Sequence, residues 1–122
     1  MIQINKTQNG QIFKCNMCDK IHVEYKNLCF NLTIKQFDNF ADYMSKLDGD
    51  KWENSNKNLQ YKRKIIIPIG LKSFQIILNK EELLELNNLL NNIIKKVTNT
   101  NYQNISLKSD RILNMNYTQF LN

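Results

Sequence analysis

From Lys20 to Leu32 the chain alternates apolar and polar side chains in two runs separated by only two residues. Ile21, Val23 and Tyr25 share one parity in the first run, and Leu28, Phe30 and Leu32 share one parity in the second. A period of two marks a strand with one buried face, and a two-residue link such as Lys26-Asn27 closes a hairpin. That turn sets the register: Tyr25 faces Leu28, and Glu24 faces Cys29. Gln11 to Cys15 reads as a short strand ahead of the hairpin, so a three-stranded meander is expected. Thr33, with Gln36 three residues on, is a capping box and opens a helix. Ile34, Phe37, Phe40, Ala41, Met44 and Leu47 form its apolar stripe, and Gly49 is expected to end it.

The plan then recurs. Residues 48–60 are polar and read as a loop. Lys64 to Ile69 is a strand, with Pro68 placing it at a sheet edge. Gly70-Leu71-Lys72 turns the chain, and Ser73 to Leu78 returns. Asn79 is a good N-cap, Glu81 and Glu82 suit the first helical turn, and Leu83, Leu86, Leu90, Ile93, Ile94 and Val97 share one face. At an offset of 46 residues Leu32-Thr33 matches Leu78-Asn79, Phe40 matches Leu86 and Met44 matches Leu90. One hairpin–helix unit cannot bury its apolar faces alone, so two should pack together. The expectation is an α+β fold, an antiparallel sheet built from two hairpin–helix units (ββ(β)α–ββα) with both helices on one face. A single domain would span residues 1–98, with pseudo-repeats at about 11–48 and 62–97. Residues 99–122, where the pattern fades, would form a C-terminal tail.

The net charge of +6 is uneven, +1 over residues 1–61 and +5 over residues 62–122. A basic half can attract nucleic acid. Only two of the 17 basic residues are Arg, however, and base readout favours Arg. The 20 Asn and 15 Ile share AT-rich codons with Lys, so part of the basicity is compositional. A solvated, mildly basic surface is the plainer expectation. No apolar run approaches the ~20 residues of a membrane span, and the N-terminus lacks the apolar core of a signal peptide. The expected compartment is therefore the cytoplasm, where thiols stay reduced.

All three cysteines and the lone histidine fall between Cys15 and Cys29. A single zinc on Cys15, Cys18, His22 and Cys29 needs donors converging to about 2.0–2.3 Å from the metal. Along an extended chain Cys18 and His22 would stand about 13 Å apart. Cys29, across the hairpin from Glu24, would lie farther from Cys18 still. The expectation therefore keeps only Cys15 and Cys18 as a metal half-site at a hairpin tip, a site that would take zinc or remain without cofactor. His22 is expected to be a plain strand-face residue and Cys29 a semi-buried strand residue.

Other chemistries find little support. No Gly-rich phosphate loop can be built from three Gly. Asp38 with Asp42, and Glu81 with Glu85, fall on predicted solvated helix faces. Lys62-Arg63-Lys64 beside Tyr61 reads as a charged guard on an edge strand. Trp52 lies in the polar loop, as a binding anchor or a cap on the core. Leu84 and Leu89, flanking the second helix stripe, leave room for a homodimer contact.

The order of motifs also resembles a known family. A CxxC near residue 15 precedes Ile21-His22-Val23-Glu24-Tyr25, then Leu28-Cys29-Phe30-Asn31-Leu32 leading into Thr33, Gln36, Phe37 and Phe40. A basic Ile65-Ile66-Ile67-Pro68 strand and a Leu-rich helix follow. Over residues 10–97 this resembles a family of small uncharacterised proteins of the Bacteroidota, a domain of unknown function. The resemblance implies a Gly after the CxxC, where this chain has Asp19, and it implies no catalytic residues. The expected function is a small non-catalytic interaction or regulatory module whose partner is another protein or a second copy, with no membrane. The alternatives are a small nucleic-acid-binding protein and a thiol-dependent enzyme using Cys18 or Cys29.

Overall fold

Alternation sets the first sheet. In a computed structural model that describes residues 1–92, strands β1 (Ile2–Thr7), β2 (Gly10–Lys14), β3 (Ile21–Tyr25) and β4 (Leu28–Leu32) pair antiparallel in chain order. Tyr25 pairs with Leu28 and Glu24 with Cys29, the register the two-residue turn requires. Cross-strand rows then alternate between the two faces. Asn5, Ile12, Val23 and Phe30 form a row turned to the core. The rows on either side, Gln3–Phe13–His22–Asn31 and Lys6–Gln11–Glu24–Cys29, face outward.

Strand β1 has no counterpart in the sequence-based expectation. Its alternation is broken by a register shift between Gln3 and Asn5, and its buried residue is polar. Asn5 lies inward because its Nδ2 donates to the Leu89 carbonyl at 2.9 Å, satisfying a helix-end acceptor that would otherwise be buried without a partner.

The helices follow from their caps. Thr33 and Gln36 close a capping box on α1 (Ile34–Ser45). Asn79 and Glu82 close another on α3 (Lys80–Asn91). Gly49 does not end α1; it begins a further helix, α2 (Gly49–Ser55), inside the expected loop. Asp48 caps α2 by accepting from the Lys51 amide, and Trp52 lays its ring against the core rather than standing free.

Strands β5 (Ile65–Ile69) and β6 (Leu71–Leu78) form the second hairpin, turned at Gly70 with φ +97°, a backbone that glycine adopts without strain. The α+β class and the antiparallel hairpins agree with the sequence. The strands nevertheless divide into two sheets, one of four strands and one of two. A cleft of about 430 Å³ lies between the β3–β4 turn and β6, lined by Tyr25, Leu28, Arg63, Ile76 and Leu78 among others. Helix α3 spans the division, touching β1 and β2 of one sheet and β6 of the other. The core contains Ile12, Val23, Tyr25, Phe40, Met44, Ile65, Ile67, Leu86 and Leu89.

Three surface expectations are corrected. Leu89 is fully buried, so it offers no dimer contact, whereas Leu84 is exposed. Asp38 is buried rather than solvated, and burial, with Asp42 nearby, pushes its carboxyl up to about 7. Arg63 does not simply guard an edge: its Nε lies 2.6 Å from Glu82 Oε1, while Lys26 Nζ lies 2.8 Å from Oε2. Ile93, Ile94 and Val97 of the expected helix face, and the 99–122 tail, lie outside the described residues. Among the described residues no helix is long and apolar enough to cross a membrane.

Candidate metal centre

Strand parity places the first donor. Phe13 faces outward and Lys14 the other way, so the chain leaves β2 with Cys15 on the same side as Phe13 and, across the pair, His22. Residues 15–20 do not continue as strand; they bend back on themselves to join β2 to β3. The bend overturns the extended spacing expected between Cys18 and His22. Cys18 Sγ lies 3.6 Å from His22 Nε2. The Cys15 and Cys18 sulfurs and a His22 ring nitrogen all lie within 4.8 Å of one another.

Two neighbours hold the imidazole. Phe13, its cross-strand partner, stacks on it with centroids 4.9 Å apart and planes 22° apart. On the other side Asn31, the next residue in the row, brings Oδ1 to 2.5 Å from Nδ1. An amide oxygen only accepts, so in this orientation Nδ1 carries the proton and Nε2 turns its lone pair toward the sulfurs. This is the tautomer a metal requires of an Nε2 ligand.

Cys15 is prepared as well. The Met17 amide donates to its sulfur at 3.4 Å, and with the Cys18 thiol beside it the Cys15 thiol is brought down to about 7. A thiol lowered this far is about half thiolate at neutral pH, and the thiolate is the form that binds metals.

Cys29 stands apart. It belongs to the neighbouring outward row, opposite Glu24, and its thiol is directed to Asn31 Oδ1 at 4.0 Å. It is exposed, not semi-buried as expected. The structure therefore brings His22 to the two cysteines of the CxxC and leaves Cys29 out. Sequence reasoning missed the contributions of His22, Phe13 and Asn31. The available signal was parity: residues 13, 15 and 22 point the same way once a reversal is placed between Cys15 and Ile21.

The geometry can be tested against a tetrahedral ion. With Zn–S of about 2.3 Å and Zn–N of about 2.0–2.1 Å, a sulfur and a nitrogen on one zinc stand about 3.6 Å apart, and two sulfurs about 3.8 Å. The Cys18–His22 separation already has the first value. Closing the remaining separations asks for shifts of about 1 Å or less in an exposed loop.

No curated protein and no solved structure matches the chain. A family of unknown function, DUF6686, matches residues 1–122, beyond the 10–97 span of the resemblance seen in the motifs. With the whole of its length covered by that match, the chain belongs to the DUF6686 family of unknown function.

Proposed function

We propose that this protein is a small non-catalytic module that binds zinc through Cys15, Cys18 and His22 and acts by interaction with a partner. The observation that carries the reading is the convergence of two sulfurs and an imidazole nitrogen within 4.8 Å, on a ring whose far nitrogen is hydrogen-bonded. A mixed sulfur and nitrogen set suits zinc better than hard cations, which prefer oxygen. The cytosol, where thiols stay reduced, is the matching compartment. Native mass spectrometry of freshly purified protein tests the reading. One zinc per chain is expected, lost in Cys18→Ser and in His22→Ala. A metal-free spectrum after zinc addition would remove it.

One observation favours a thiol enzyme instead. Cys18, His22 and Asn31 stand in line, with the sulfur at Nε2 and the amide at Nδ1, the order of nucleophile, base and orienting group. That reading leaves Cys15 idle, whereas the metal reading uses all three donors. Alkylation separates the two. Bound zinc shields Cys15 and Cys18 and leaves Cys29 reactive, while a catalytic Cys18 would react first, with or without zinc. The nucleic-acid alternative loses support at one residue of the basic second half, because Arg63 is engaged with Glu82.

A further inference from the structure

Tetrahedral zinc takes four ligands, and the described residues bring three to the centre. The sequence holds no further histidine and one further cysteine, Cys29, which lies in the next outward row. Two carboxylates, Asp19 and Glu24, are close in sequence. Glu24 accepts from Gln11 across the sheet, and among the described residues neither Asp19 nor any other acid joins the three donors. Resting on the metal reading above, we infer that the fourth ligand comes from outside the chain and is a thiolate, supplied by a small thiol or by a cysteine of a partner.

Three features argue for a thiolate. The first is softness: a centre with two thiolates and an imidazole suits another sulfur. The second is charge. Zinc with two thiolates and a neutral imidazole is neutral, so a third thiolate leaves −1. In the sequence Lys14, Asp19 and Lys20 flank the two cysteines with a sum of +1, Lys14 lying on the opposite face of β2 and Asp19 and Lys20 exposed beside Cys18. The third is access. Asn16, Asp19 and Lys20 are exposed, and Met17, between the two cysteines, is 94% exposed. Its thioether offers an apolar contact for the carbon chain that carries the incoming sulfur. On binding, the thiol releases its proton to solvent and the sulfur lone pair forms the bond to the metal.

Cobalt(II) substitution in the full chain provides the test, because sulfur-to-cobalt charge-transfer absorption grows with the number of bound thiolates. The wild type and Cys29→Ser are loaded with cobalt and titrated with 2-mercaptoethanol, and sedimentation is followed in parallel. In a monomer the absorption should rise about 1.5-fold, as two thiolates become three, and equally in Cys29→Ser. A cobalt-linked dimer that already has three thiolates, and loses one in Cys29→Ser, also supports the inference and names a second copy as the source. A monomer with three thiolates before any thiol is added, losing one in Cys29→Ser, would place the fourth ligand within the chain and overturn it. So would absorption that stays at two thiolates throughout the titration. Failure of cobalt to bind at all overturns the metal reading itself, a result distinct from either.

Discussion

At the residue scale, the centre depends on a side chain that need not touch the metal. Asn31 stands across from His22 and sets which ring nitrogen is free. Being exposed on an edge strand, it can be removed with little harm to the core. Asn31→Ala should therefore weaken zinc binding about 10-fold or more while leaving the melting temperature of the metal-free protein within a degree or two. Competition with a chromophoric chelator measures the first, and circular dichroism the second. Cys29 shows the opposite lesson. It is near in sequence and shares the outward face, but it lies one row too far along the strand to join.

At the element scale, two contacts join parts of the chain that are distant in sequence. Glu82, in the first turn of α3, receives Arg63 from the segment before β5 and Lys26 from the β3–β4 turn. Burial would raise its carboxyl, but these partners outweigh it and hold it at about 2, below an ordinary 4.5. A depressed native value means the stabilisation is complete above about 4.5 and is lost as pH falls through about 2. Glu82→Gln keeps the capping box and removes only the charge. The half-exposed cations reduce the effect, so the variant should cost about 1–2 kcal/mol at pH 7 and almost nothing at pH 2, read from urea melts at both pH values. Gly10 marks the second contact. A Cβ there would stand 2.7 Å from the Glu24 carbonyl oxygen and 2.7 Å from Leu89 Cδ2. The carbonyl belongs to a paired strand and cannot yield, so Gly10→Ala should destabilise by about 1–3 kcal/mol in the same melts.

At the scale of the molecule, zinc and folding are linked. A ligand that binds only the folded chain adds stability by mass action, about 2.7 kcal/mol when its free concentration is 100 times its dissociation constant. Thermal melts with and without zinc should show this gain in the wild type and none in Cys18→Ser. A gain that persists in Cys18→Ser would place the bound metal elsewhere. The hairpins and the two helices with capping boxes, α1 and α3, were legible because local rules specify them. Period-two alternation, a two-residue turn and side chains that cap helix ends all act within a few residues. Strand β1 escaped because its inward Asn5 donates to the Leu89 carbonyl, 84 residues away. Helix α2 escaped because its cap, Asp48, sits in a run that reads as loop while Trp52 draws the segment onto the core. The sequence alone determined which residues are donors and which way each strand turns them, since parity is a property of the backbone. Only the tertiary structure decided which donors meet, because that depends on how residues 15–20 bend between two paired strands.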